Sequence, residues 1–151
     1  GYKFKAVFNR DSVQNQQWQK YDEPLTVDAE IIGLHDGELI GRFGIFSGRK
    51  MSLGNCALLE INGIKVVVIS ERSQTADPIF FEMFGQKISN AHTVIVKSRG
   101  HFRAGFKSWF HDKDVFEVDT VGLTSPVLER WDFQNVPASS FPLDQDAAWS
   151  I

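Results

Sequence analysis

The 151-residue sequence predicts an α/β fold, with antiparallel strands in the N-terminal half joined to a parallel βαβαβ unit in the C-terminal half. Three observations carry this expectation. Two Asx-Gly pairs, Asp36-Gly37 and Asn62-Gly63, punctuate apolar segments in the first half, as tight hairpin turns do. Beyond Ile64, short β-branched runs alternate with segments of helical apolar spacing. Between Val94 and Phe106, finally, the run Val94-Ile95-Val96 stops at Lys97-Ser98 and gives way to Phe102, Phe106, Trp109 and Phe110 at i, i+4, i+7 and i+8, which is a strand feeding an amphipathic helix.

Taken in order, residues 1–22 read as an irregular lead-in or linker, because a brief alternation at Lys3 to Phe8 runs into the amide-rich stretch Ser12 to Lys20. Residues 23–151 read as one domain. Pro24 to Leu34 alternates, with Leu25, Val27, Ala29 and Ile31 on one face, and predicts a half-buried strand. His35-Asp36-Gly37-Glu38 predicts a hairpin turn, with Leu39 to Ile45 returning beside it. Met51 to Ile61 predicts a third strand, and Ile64 to Ser70 a fourth covered on both faces. Asp77-Pro78 is a helix start, Asp as the cap and Pro in the first turn, for a short helix over Ile79 to Phe84 that Gly85 stops. Val94 to Lys97, Phe102 to Phe110 and Val115 to Val118 complete strand, helix, strand, and short right-handed crossovers make those strands parallel. The tail from Pro126, with Pro137 and Pro142, runs along the surface without regular structure.

Apolar content of 42% and charged content of 23% describe a globular chain. A formal net charge of −3 argues against nucleic acid or an anionic membrane as the main partner. The single Cys56 permits no internal disulfide and fits a reducing, cytoplasmic location. No apolar run is long enough to span a membrane. Gly1 in place of Met suggests a tag scar or a fragment of a longer protein.

In an open α/β sheet ligands bind beyond the carboxyl ends of the strands, and helix amino termini attract anions. The expected strand ends bring Ser70, Arg72 and Gln74 together with Lys97, Ser98 and His101, and with Asp119, Thr120 and Thr124, while Arg103 follows in the helix's first turn. The candidate substrate- or anion-binding set is therefore Arg72, Gln74, Lys97, Ser98, His101, Arg103, Asp119 and Thr124. Each has a structural reading beside the functional one. Ser98 and Asp77 can be helix caps, Arg72 and Lys97 solvated charges, His101 an exposed histidine, and Arg103 a brace to Asp119 or Glu117. The aromatic stripe is core packing. The four histidines, His35, His92, His101 and His111, form no metal-ligand spacing, and no nucleophile motif or phosphate loop is present. The chain alone is expected to bind no stoichiometric zinc and to hydrolyse no peptide.

Four pieces carry a family resemblance. They are Leu34-His35-Asp36-Gly37 after a Leu-Thr-Val strand; Ser70-Glu71-Arg72-Ser73-Gln74 with Asp77; Val96-Lys97-Ser98 with His101-Phe102-Arg103-Ala104 and Phe106; and Glu117-Val118-Asp119-Thr120 leading into Gly122-Leu123-Thr124-Ser125-Pro126. In this order they resemble the C-terminal region of the MlrC-like family, named for the microcystin LR degradation protein and classed as zinc metallopeptidases. Val121 and Gly100 depart from the family's pattern without touching its polar residues. The resemblance implies a bacterial parent hydrolase whose N-terminal domain holds the zinc and the hydrolytic centre, so that this chain carries no cofactor of its own. The partners it implies are that N-terminal metallopeptidase domain and a peptide-like or small anionic substrate.

Two classes of function follow. In one, the chain is an accessory domain that packs on the zinc domain and supplies substrate-binding cations, with Arg72, Lys97, His101 and Arg103 as positioned donors. In the other, it is a stand-alone module that binds a small anion without chemistry. A purely structural dimerisation domain is a third, more distant class.

Overall fold

The computed structural model describes residues 1–8, 24–118, 127–128, 132–137, 139–144 and 146–147. The chain forms two compact units, Gly1–Arg10 with Pro24–Phe116, and Asp11–Glu23 with Glu117–Ile151. The first unit holds the strands β1 (Tyr2–Phe8), β2 (Leu25–His35), β3 (Glu38–Ile40), β4 (Lys50–Ser52), β5 (Cys56–Ile61) and β6 (Ile64–Ile69), and the helices α1 (Ile79–Glu82) and α2 (Phe102–Phe106). An antiparallel sheet runs in the order β1-β2-β5-β6, and β3 and β4 form a separate two-stranded ribbon. In the second unit the described residues 137–147 make successive turns, with Ser140 N–H donating to Pro137 O at 3.1 Å and Asp144 N–H to Ser140 O at 3.0 Å.

The strand-rich first half is as expected, with three differences. Tyr2–Phe8, expected to be irregular, is a strand with all seven residues paired to β2. The alternation of Phe4 and Ala6 with Lys3 and Lys5 is the signal for it. Asp36-Gly37 does not fold β3 back on β2, because β1 and β5 already occupy both edges of β2. Gly37 takes φ +75°, a Cβ there would overlap the Gly54 carbonyl oxygen, and its own carbonyl accepts the Leu53 N–H at 3.0 Å. This turn throws β3 onto β4. The expected strand Met51 to Ile61 divides into β4 and β5 at Leu53-Gly54-Asn55, where Gly54 has φ +63°. Asn62-Gly63 closes β5 on β6 with φ of 49° and 81°, the paired left-handed geometry of a type I′ hairpin.

The parallel βαβαβ unit does not form among the described residues. β6 pairs antiparallel with β5, and Val94–Lys97 has no regular secondary structure and joins no ladder; its one backbone link of this kind is the Thr75 N–H to the Lys97 carbonyl at 3.2 Å. Residues 115–118 join none either, and Ile95, Phe116 and Val118 are exposed by 85%, 86% and 78%. The cause lies between them. After β6 the chain is tied back by Ser70 N–H to Asn55 O and Glu71 N–H to Leu53 O, and then by Asp77, so that Val94–Lys97 arrives beside residue 75 rather than along β6.

Asp77 is fully buried. Its Oδ1 accepts the Ile79 N–H at 2.9 Å and caps α1, as its place before Pro78 predicts. Its Oδ2 accepts two more backbone N–H groups, from Arg42 at 2.6 Å and Phe43 at 2.9 Å. Around it, Leu53, Cys56 and Phe80 form the core, with Leu39, Phe46, Met51, Ile69, Ile79, Met83 and Phe84 packed against them. α1 ends before Gly85, at φ +70°. α2 is one turn and a half where Phe102 to Phe110 was expected, and the chain continues as a turn in which Trp109 and Phe110 N–H both bond the Phe106 carbonyl. The aromatic stripe packs inward all the same. Phe106 is buried against Phe81, and Trp109 meets Phe43 edge-on at 6.2 Å. Gly105 allows this approach, since a Cβ there would overlap the Ala76 carbonyl oxygen.

Three outcomes test this packing. Asp77→Ala strands three buried donors and should cost about 3 kcal/mol or more in a denaturant melt, whereas Glu38→Ala on the exposed ribbon should cost little. Phe106→Ala should cost roughly 3–5 kcal/mol, and the exposed neighbour Lys107→Ala under about 0.5 kcal/mol. Burial, and secondarily the nearby Asp36 charge, push the Cys56 thiol above its ordinary value of 9.0. The unfolded thiol ionises first as pH rises, so stability should decline from about pH 8.5 upward. Cys56→Ala should flatten that limb of the pH profile.

Candidate functional site

The candidate residues described by the structure lie in three segments: the loop after β6, the irregular stretch 94–98, and the start of α2. The backbone bond from Thr75 N–H to Lys97 O sets the first two side by side. Gly105 seats α2 on the Ala76 carbonyl, two residues after Gln74. The Gln74 side chain is where these constraints meet. Its Oε1 accepts the Ser98 hydroxyl at 3.4 Å and lies 3.1 Å from His101 Nδ1. With Oε1 as the acceptor, His101 carries its proton on Nδ1 and turns Nε2 away from Gln74. Nε2 is then free to accept a hydrogen bond or, once protonated, to donate one to an anion.

The cations surround this cluster in sequence and take different partners. Arg72, Lys97 and Arg99 are exposed, and among the described residues none of them is in an ion pair. Arg103 has a partner in the turn after α2. Its guanidinium donates to Asp112 Oδ1 at 3.1 Å and lies over the Phe102 ring at 5.3 Å. Ser98 is not a helix cap: His101 flanks α2, and no side chain caps that helix. α2 is too short for a substantial dipole, so the expected pull on anions from a helix end is small here. The electrostatic asymmetry comes instead from side chains. From Met83 to His111 the sequence holds Lys87, Lys97, Arg99, Arg103 and Lys107 and not one Asp or Glu. Asp119 and Thr124 lie outside the described residues.

Gln74, Ser98 and His101 are thus brought together, with Lys97 contributing its backbone to the same junction. What sequence reasoning missed is the support beneath them. The Oδ2 bonds of Asp77 to Arg42 and Phe43 link residues far apart in the chain and leave no local pattern. Glycine at 105 within an aromatic helix is the one sequence sign of the close approach. Among the described residues no three His, Cys, Asp or Glu side chains gather in a way that could hold a metal. No described helix is long and apolar enough to cross a membrane.

No curated protein and no solved structure matches the chain. A family model described as MlrC C-terminus matches residues 13–135, which include every candidate site residue from Arg72 to Thr124. With most of its length covered by that match, the chain belongs to the MlrC C-terminus family.

Proposed function

We propose that this chain is the C-terminal, non-zinc-binding domain of an MlrC-like hydrolase, and that the face built from residues 72–103 presents hydrogen-bond donors to an anionic group of a peptide-like substrate. The observation that carries this is the Gln74 hub. One side-chain amide orders both a hydroxyl and an imidazole, and these two lie in the stretch 83–111, which is rich in cations and holds no Asp or Glu. Donors held in place before the ligand arrives need no reorganisation when charge develops on it, and that is the condition for electrostatic stabilisation. His101 would donate through Nε2. Lys97, Arg72 and Arg103 would supply the attractive field, with Arg103 leaving or sharing its exposed bond to Asp112. Ser98 and Gln74 are positioning groups. Asp119 and Thr124 belong to this set by sequence motif.

Among the described residues no side-chain group fits a zinc site. In this proposal the metal and the hydrolytic centre belong to an N-terminal domain of the parent, which is also the partner against which this domain packs.

Paired measurements test the proposal. His101→Gln and Arg103→Met should change the melting behaviour of this chain by less than about 1 kcal/mol, because both side chains are exposed and the Arg103–Asp112 bond lies at the surface. In the intact two-domain protein each should lower turnover by about tenfold or more, equivalent to about 1.4 kcal/mol of barrier. Losses of several kcal/mol in stability with near-normal turnover would make the cluster structural. Anion binding by this chain together with unchanged turnover would favour the stand-alone binding module.

A further inference from the structure

We infer that the outer edge of β6 is an assembly edge, which pairs antiparallel with β6 of a second copy of this chain about a two-fold axis at Val67. The inference concerns the sheet edge alone and is independent of the function proposed above.

Hydrogen bonding in the β5–β6 hairpin shows which groups of β6 are free. Ser70 N–H donates to Asn55 O. In an antiparallel ladder bonded and non-bonded pairs alternate. With the register Cys56↔Ile69 to Ile61↔Ile64, the bonded residues of β6 are therefore Ile64, Val66 and Val68. Lys65, Val67 and Ile69 direct their N–H and C=O groups away from β5. Among the described residues these groups have no backbone partner beyond the sheet.

Soluble proteins usually blunt such an edge with charges, proline, a bulge or a covering segment. β1, at the opposite edge of this sheet, has Lys3 and Lys5 alternating along it. β6 reads Ile-Lys-Val-Val-Val-Ile, without proline, glycine or bulge. Its single charge is drawn aside, since Lys65 Nζ donates to Gln86 Oε1 at 2.6 Å. Ile64 and Val68 are 63% and 39% exposed, on a strand whose backbone is also unmatched.

Self-complementarity selects the occupant. An antiparallel dyad at Val67 sets Val67 against its own copy, Val66 against the partner's Val68, and Lys65 against the partner's Ile69. The outward groups of these residues then form about six hydrogen bonds, two for each narrow pair. The two Lys65 side chains stand about 13 Å apart along the strands, beyond the distance at which exposed like charges matter. Parallel in-register pairing would stack Lys65 on Lys65. A strand of another sequence would match the edge without any need for symmetry about Val67.

Sedimentation of this chain over a micromolar concentration series should show a reversible monomer–dimer equilibrium. Val68→Lys replaces an exposed side chain and places like charges diagonally across the dyad, about 7–8 Å apart. It should weaken the dimer by about tenfold or more, and so should Val68→Glu. Mixing the two variants should restore association, because the diagonal pair becomes Lys opposite Glu. Val7→Lys, on the β1 edge, should associate like the parent. Circular dichroism verifies that each variant is folded. If one is not, amide exchange of the parent decides: the Lys65, Val67 and Ile69 amides should slow as concentration rises. A parent that stays monomeric, a dimer indifferent to Val68→Lys, a mixture that fails to reassociate, a dimer broken by Val7→Lys, or edge amides that exchange at the same rate at every concentration would each overturn the inference.

Discussion

The carboxylate of Asp77 is the constraint on which this domain depends. It lies in the core, and its bonds go to backbone N–H groups from two distant segments of the chain. A buried carboxylate without such donors costs several kcal/mol, so any compact arrangement that fails to present them is disfavoured. The three bonds fix three things together. They hold Arg42 and Phe43 at the foot of the β3–β4 ribbon, they start α1, and they set the height of the Ala76 carbonyl on which Gly105 rests. The Arg42 side chain strengthens the same junction from outside through its ion pair with Glu82 on α1.

The candidate site inherits its geometry from this junction. α1 and α2 span four and five residues, far below the length at which a helix holds itself together in water. Their order is tertiary. Phe80 fills the core beneath α1, tilted against Phe46 with ring centres 6.2 Å apart, and Phe106 fixes α2 against the Phe81 ring. Between these anchors, Gln74 needs only a single side-chain amide to align Ser98 and His101. A cluster assembled from loops in this way can be precise while adding little stability, because its members are exposed or half-buried and the core beneath them is complete without them.

The parts of the fold legible in the sequence are those decided locally. The Asn62-Gly63 hairpin, the alternation of β2 and the cap at Asp77 each follow from residues within a few positions of one another. The parts that were not legible depend on competition for partners. Asp36-Gly37 carries a strong turn signal, and Gly37 does take a positive φ, yet β3 cannot pair with β2 because β1 and β5 already flank it. Val94–Lys97 has the composition of a strand, but composition does not provide a free edge at the right place, and the tie at Asp77 carries the run past β6. The candidate site was legible as a list and only partly as an arrangement. Gln74, Ser98 and His101 meet, though through a glutamine hub and not through the converging strand ends of a parallel sheet, and Arg103 turns to Asp112.

Net charge hides the feature of greatest chemical consequence. Residues 83–111 carry five of the sixteen Lys and Arg and none of the nineteen Asp and Glu, so this stretch is +5 inside a chain of −3. At the scale of a macromolecular polyanion, the acidic remainder of the chain opposes binding. At the scale of one carboxylate, charges more than about 8–10 Å away are largely screened, and the local excess decides. On the proposed reading, this local excess would favour a small anion beside His101 even though the chain as a whole is acidic. On that reading the backbone tie at Lys97 and the Gln74 amide, which holds Ser98 and His101 together, would orient the donors that the field alone leaves free to move.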